Sequence, residues 1–264
     1  MRTYLAAALI AALPLAACAT SAAQTTQTAA TPEVVSQARV APGGLYEIVH
    51  NPTDGAVYIA AVGPRGENAA RIARIDGASF AAGAAIDVSA NPLFGLGLNS
   101  RTQTLFGTDT RGGVVSAINL RTGAIANIGR EGETPHLREI IIDEAANKAY
   151  ASIVGFERNG ERSPSQIWVI NGADNTIERV IDVDTNGLTG IALDTANNRI
   201  FGTGMSSNEV VVVDLASGAT VARWPTQSET PINLVFDAAT QRIFVASQGS
   251  GDLTVLDARP GAVI

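Results

Sequence analysis

From about residue 44 onward the chain alternates short apolar runs with polar turns, and none of the runs has helical length. Five segments align on an aromatic residue: Asn51 to Tyr58, Asn99 to Phe106, Asp143 to Tyr150, Asp194 to Phe201 and Asp237 to Phe244. In each, an Asn or Asp stands seven residues before the aromatic, and successive aromatics are 48, 44, 51 and 43 residues apart. An apolar strand leads into each turn, and a second strand leaves it carrying the aromatic, as in Tyr58-Ile-Ala-Ala-Val62 and Phe201-Gly-Thr-Gly204. A third, β-branched strand follows: Ala73–Asp76, Val114–Asn119, Ile167–Asn171, Val210–Asp214 and Leu253–Asp257. Turns of the type Asn119-Leu-Arg-Thr-Gly123, Asp214-Leu-Ala-Ser-Gly218 and Asp257-Ala-Arg-Pro-Gly261 join it to a fourth. There the Asp or Asn accepts backbone hydrogen bonds and the Gly supplies a positive φ, which makes the recurring acids architectural.

A repeat of this length, with four short strands and no helix, predicts a β-propeller of four-stranded antiparallel blades. One blade cannot bury both of its faces, but blades stacked around an axis bury each against its neighbours, and the recurrent aromatics suit those inter-blade layers. Five repeats are visible, and the fifth stops at Gly261-Ala-Val-Ile264, where its fourth strand should begin.

The first residues change the picture of where this domain works. Arg2 precedes the apolar run Leu5 to Leu13, followed by Leu15-Ala-Ala-Cys18, and this pattern predicts a secretory signal over residues 1–17. Leu15 to Cys18 resembles a bacterial lipobox, which makes Cys18, the only cysteine, the expected site of lipidation. Residues 18–33, rich in Ser, Thr, Ala and Gln, read as a tether, and 34–264 as the propeller. The expected location is the periplasmic side of the outer membrane as a lipoprotein, or the periplasm as a soluble protein. The formal net charge of −7 argues against a general nucleic-acid or anionic-membrane surface. With one cysteine no disulfide can form within a monomer, so stability must come from packing.

The repeats Asn51 to Ala60, Asn99 to Thr108 and their later copies resemble the YVTN-type β-propeller family, most closely its YncE-like branch. The marks are Gly44-Leu-Tyr-Glu-Ile48, Asn91-Pro-Leu-Phe-Gly95 followed by Thr102-Gln-Thr-Leu-Phe106, Arg138-Glu139, Thr189-Gly-Ile-Ala-Leu-Asp194 and Ile232-Asn-Leu-Val-Phe-Asp237. The resemblance runs from about residue 34 to the end. It implies a seven-bladed parent, so this sequence is expected to be truncated at the C-terminus. The alternative is a five-bladed ring whose last blade is completed by an N-terminal strand within Glu33 to Arg39.

Counting back twelve and eleven residues from each aromatic gives Tyr46/Glu47, Phe94/Gly95, Arg138/Glu139, Thr189/Gly190 and Ile232/Asn233. The repeat makes these positions equivalent at the opening of the innermost strand, while their chemistry varies. Tyr46, Glu47, Phe94, Arg138, Glu139 and Asn233 are therefore the candidate ligand-binding residues at one mouth of the central channel. The charged members can equally form an internal Arg–carboxylate network that seals blades one and three, because buried charges need partners. His136 with Glu47 and Glu139 has the chemistry of a metal or acid–base site, but the spacing shows no ligand pattern. His50 is expected in a turn at the blade edge. No nucleophile elbow, phosphate-binding loop or paired-cysteine motif is present, so no catalytic residue and no cofactor are assigned.

The reading that follows is an exported, non-enzymatic binding or interaction protein, its partner an envelope protein or a small polar ligand. A lactonase-like propeller hydrolase using the channel mouth is the alternative, and the family resemblance adds nucleic-acid binding. The lipobox generates a prediction of its own. Mass analysis of the mature product should find a lipidated N-terminus at Cys18, whereas an unmodified start near Gln24 overturns the lipoprotein reading.

Overall fold

In the computed structural model the polar turn before each aromatic is closed by its own Asn or Asp. Asn51 Oδ1 accepts from Thr53 N (3.0 Å), Asn99 Oδ1 from Arg101 N (3.1 Å) and Asp143 Oδ1 from Ala146 N (2.9 Å). Asp194 Oδ1 accepts from Asn197 N (3.2 Å) and Asp237 Oδ1 from Ala239 N (3.0 Å). Three residues before the aromatic the backbone turns left-handed in every copy, at Gly55, Gln103, Asn147, Asn198 and Gln241, with φ between 50° and 67°. The turn to the fourth strand is built as the sequence predicts. Asn119, Asp214 and Asp257 accept from backbone N–H groups two or three residues on, and Gly123, Gly218 and Gly261 have φ of 75°, 78° and 73°.

The structure describes residues 33–34, 37, 39–41, 43–64, 66–158 and 161–264, with 157–158 and 161–162 as backbone. The expected signal and Cys18 lie outside them. Blade one is β1 (Leu45–His50), β2 (Ala56–Ala61), β3 (Arg71–Asp76) and β4 (Ile86–Asp87). Blade two is β5 (Gly95–Asn99), β6 (Thr104–Asp109), β7 (Val114–Asn119) and β8 (Ile125–Ile128). Blade three begins with β9 (Leu137–Asp143) and β10 (Lys148–Ile153); a small hairpin of β11 (Glu157–Arg158) and β12 (Glu161–Arg162) intervenes before β13 (Ser165–Asn171) and β14 (Thr176–Val183). That inserted hairpin accounts for the long third spacing of 51 residues. Blade four is β15 (Leu188–Asp194), β16 (Arg199–Gly204), β17 (Glu209–Asp214) and β18 (Thr220–Pro225). Blade five is β19 (Pro231–Asp237), β20 (Arg242–Ser247) and β21 (Asp252–Asp257), with an isolated bridge between Leu256 and Val263 where a fourth strand would lie.

Within every blade the strands are antiparallel and neighbours in sequence order, so each blade is a meander. The chain is an all-β propeller of five blade repeats, and the described residues contain no helix. The described residues among 33–39 form no strand.

The core lies between blades. Tyr58 packs with Leu96, Leu105 and Ile118 of blade two, and Phe106 with Ile140, Ala149, Trp168 and Ile170 of blade three. Tyr150 packs with Ile191, Ile200 and Val213 of blade four, and Phe201 with Leu234, Ile243 and Leu256 of blade five. Each aromatic is thus the knob that one blade presents to the aliphatic face of the next. Among the described residues Phe244, the fifth, has no such cover, and it is half-buried.

The contrast gives a stability test. Phe201→Ala should cost about 3–5 kcal/mol, the usual range for a fully buried aromatic. Phe244→Ala should cost no more than about 1–2 kcal/mol, because part of its area already lies in water. Denaturant unfolding of both variants at one low protein concentration checks the ordering, and equal losses would contradict the assignment of Phe244 to an uncovered face.

Candidate functional site

The innermost strands do not start regularly. In blade one Tyr46 and Glu47 together oppose Ala60, because Leu45 pairs with Ala61 and Ile48 with Ile59. Arg138 and Glu139 likewise oppose Ser152, Thr189 and Gly190 oppose Thr203, and Ile232 and Asn233 oppose Ala246. Two residues facing one is a β-bulge, which bends the strand and re-aims its side chains. Repeated in blades one, three, four and five, it turns the paired positions twelve and eleven before the aromatic toward one end of the channel, where blade two brings Phe94 and Gly95 at the regular start of β5. Tyr46, Glu47, Phe94, Gly95, Arg138, Glu139 and Asn233 line a single cavity of about 180 Å³ there. All six candidate ligand-binding residues are brought together.

Where these strands open, a backbone N–H is left to a side-chain acceptor, and a hydroxyl takes that role in three blades. Gly95 N donates to Thr108 Oγ1 (3.0 Å), Glu139 N to Ser152 Oγ (3.0 Å) and Gly190 N to Thr203 Oγ1 (2.9 Å). Two of these hydroxyls also reach the next blade: Thr108 Oγ1 donates to Arg138 O (2.8 Å) and Ser152 Oγ to Thr189 O (2.7 Å). Blades one and five carry Ala60 and Ala246 at that position. The sequence signal for these ties was a Ser or Thr two residues after the aromatic, in Phe106-Gly-Thr108, Tyr150-Ala-Ser152 and Phe201-Gly-Thr203. Arg111, over the Phe94 ring at 5.2 Å, carried no such signal because its place depends on a turn folding back.

Glycine at positions 95 and 190 is a packing requirement. A Cβ on Gly95 would lie 2.6 Å from Arg138 O, and one on Gly190 would lie 2.6 Å from Asn233 Cα. Blades two and four thereby give up side chains so that the backbones of blades three and five can close in. Side-chain chemistry at the inner position is left to Glu47, Glu139 and Asn233.

These three share a local habit: each side-chain oxygen accepts from the N–H of the following residue, Ile48 (3.4 Å), Ile140 (3.4 Å) and Leu234 (2.8 Å). Asn233 Nδ2 also reaches Glu139 Oε2 across the mouth, a long contact of 3.4 Å. Burial, and next the negative charge of Glu47, push the Glu139 carboxyl up to about 7, against the opposing pull of the Ile140 N–H, Arg138 and Asn233. Glu47 is raised by burial as well, with the Ile48 N–H and Arg138 opposing. On the rim, Tyr46 meets Phe94 edge to face at 4.7 Å.

The histidines stand elsewhere. His136 packs edge to face on Phe156 at 5.0 Å and does not line the cavity; burial and then Arg138 lower its pKa. Among the described residues no three His, Cys, Asp or Glu side chains are grouped to hold a metal, so Glu47, His136 and Glu139 do not form a ligand set. His50 is exposed at the end of β1, in the strand and not in the turn where the sequence put it.

A meandering four-stranded blade repeated about an axis, with variable side chains gathered at one mouth, defines a β-propeller. Its repeats are YncE-like: the chain is 28% identical to YncE of Escherichia coli (strain K12) and to YncE of Salmonella typhi, both uncharacterised proteins, over 189 residues. The match covers 68% of this chain and 51% of the relatives, so the chain spans about half the length of the curated relatives it matches. It matches no protein-family model. Among solved structures it is similar to a chain of a nidogen/laminin complex (TM-score 0.66, 12% identity, 83% of this chain and 78% of that one). It is equally similar to the RRP9 WD40 repeats (TM-score 0.66, 12% identity, 85% and 64%), and both likenesses concern the fold alone. No helix of the described residues is long and apolar enough to cross a membrane.

The raised Glu139 pKa links the mouth to stability. In the unfolded chain this carboxyl titrates near its ordinary 4.5, and in the folded chain near 7. Between the two the folded state holds a proton that the unfolded state has lost, so stability falls as pH rises through that window and stays lower above it. Glu139→Gln should flatten the fall between pH 5 and pH 7 and raise stability at pH 8 by about 1–2 kcal/mol, discounted for the open side of the mouth. Denaturant midpoints across that pH range measure it; an unchanged slope in Glu139→Gln contradicts the assignment.

Proposed function

We propose that the chain is a non-enzymatic binding protein whose channel mouth takes a small polar molecule bearing a cationic group. One observation carries the reading: two carboxylates, Glu47 and Glu139, line one partly desolvated cavity, where burial first and the charge of Glu47 next hold Glu139 up to about 7 and Arg138 does not offset them. A cation between them supplies the missing charge and favours the ionised pair. The Tyr46–Phe94 edge adds an aromatic surface suited to an alkylammonium, and Asn233 adds an amide donor and acceptor. A cavity of about 180 Å³ fits a fragment-sized molecule. The sequence reading of export fits the same proposal: a signal over residues 1–17, lipidation at Cys18 and a tether over residues 18–33, with the envelope as the proposed place of work.

Calorimetric titration of the full chain with three probes of similar size tests the reading: n-butylammonium, glycine betaine and succinate. Binding of the cation-bearing probes, strengthening from pH 5.5 to pH 8 and weakened at least tenfold in Glu139→Gln, is the expected result. Preference for succinate, or no binding by any probe at millimolar concentration, overturns it.

A further inference from the structure

One charged group at the mouth opposes a bound cation instead of holding it, and that group is Arg138. Arg138 and Glu139 are neighbours in sequence, and on a regular strand they would point to opposite faces. The bulge opposite Ser152 lets both line the same cavity. Thr108 Oγ1 fixes the backbone from which Arg138 departs, by donating to its carbonyl (2.8 Å). The blade-two side of that seam carries Phe94, with the Arg111 guanidinium over its ring at 5.2 Å. Positive charge is thus gathered where blades two and three meet.

Glu47 and Glu139 line the same cavity, and both carboxyls feel the charge of Arg138. It pairs with neither: among the described residues the Arg138 guanidinium makes no hydrogen bond and no ion pair, and Arg111 makes no ion pair either. Elsewhere the chain does close such pairs, Arg199 on Asp194 (2.9 Å) and Arg223 on Glu209 (2.8 Å). An internal seal of the mouth would bring Arg138 onto Glu47 or Glu139 in the same way. Glu139 instead accepts from the Ile140 N–H and from Asn233 Nδ2, both at 3.4 Å, and has no cation on it. A guanidinium holds five N–H donors in a planar fork that matches a carboxylate. With that fork open beside two open carboxylates, the cavity offers both signs at once.

We propose that the mouth binds a small zwitterion of the amino-acid class, its carboxylate on the Arg138 fork and its ammonium between Glu47 and Glu139. The inference rests on the cation reading of the same cavity and adds the second charge to the ligand. A simple cation suits the carboxylates but is repelled by Arg138, and a simple anion is repelled by the carboxylates. One site therefore discriminates against both by like charge, and a zwitterion alone meets each group with its opposite. A cavity of about 180 Å³ limits the ligand to a short side chain, for which the Tyr46–Phe94 edge is the apolar contact. Arg111 on the rim adds positive potential on the side that takes the carboxylate.

Calorimetric titration of the full chain at pH 8, where Glu139 is ionised, compares L-valine with its two halves. Isobutylamine lacks the carboxylate, and 3-methylbutanoate lacks the amine. L-Valine should bind at least tenfold tighter than isobutylamine, and 3-methylbutanoate should not bind at millimolar concentration. Arg138→Gln should move the two amines apart: valine at least tenfold weaker, isobutylamine unchanged or tighter, because a repelling charge has gone. A merely structural role for Arg138 would weaken both together. Circular dichroism and the denaturant midpoint check that the variant folds. If it does not, Arg138→Lys, which keeps the charge and loses the fork, should weaken valine more than isobutylamine. Isobutylamine binding as tightly as valine, or an equal loss of both in the variant, overturns this inference and leaves the cation reading standing. Failure of both amines to bind removes the cation reading and this inference with it.

Discussion

A blade has two apolar faces and almost no interior, so nothing about it is stable until both faces are covered. In this chain the covering is done by one recurring contact, an aromatic ring set into the aliphatic face of the next blade. Tyr58, Phe106, Tyr150 and Phe201 each sit at the centre of a core cluster shared by two blades. The cores are thus shared between neighbours, and cohesion grows blade by blade as in other repeat folds. Turn chemistry and strand register serve this contact, because a one-residue slip would move the ring to the opposite face.

The mouth is a by-product of the same stacking. Strands that converge on an axis must stop pairing regularly somewhere, and here they do so through bulges at equivalent places. A bulge frees two side chains to point along the channel. Stacking alone does not decide which side chains these are, so the repeat can place Glu, Gly, Glu, Gly and Asn at one ring of positions without disturbing the blades. The glycines bring neighbouring backbones close, and the carboxylates take up the space that remains.

Most of the architecture was legible because it is periodic. The Asn or Asp before each aromatic, the β-branched third strand and the Gly of the last turn recur at fixed offsets, and the structure puts each where the offset says. The same offset count collected Tyr46, Glu47, Phe94, Arg138, Glu139 and Asn233 into one cavity. Features that depend on contacts between repeats were not legible. Thr108, Ser152 and Thr203 look like ordinary strand residues until the strand opening opposite them presents an N–H. His136 looked available to the carboxylates, yet it packs on the ring of Phe156 and does not line the cavity. The exposure of Ile48 could not be read either, since its sequence is that of a buried position.

The hydroxyl ties have a consequence beyond filling hydrogen bonds. Thr108 spans from the Gly95 N–H of its own blade to the carbonyl of Arg138, and Ser152 from the Glu139 N–H to the carbonyl of Thr189. The backbone that shapes the mouth is therefore the backbone that fastens one blade to another. Any molecule that steadies those residues steadies the seams between blades two, three and four, and any force that parts the seams distorts the mouth. By reciprocity, occupancy and blade cohesion become two readings of a single equilibrium, with the small side chains of Thr108 and Ser152 as the mechanical linkage between them.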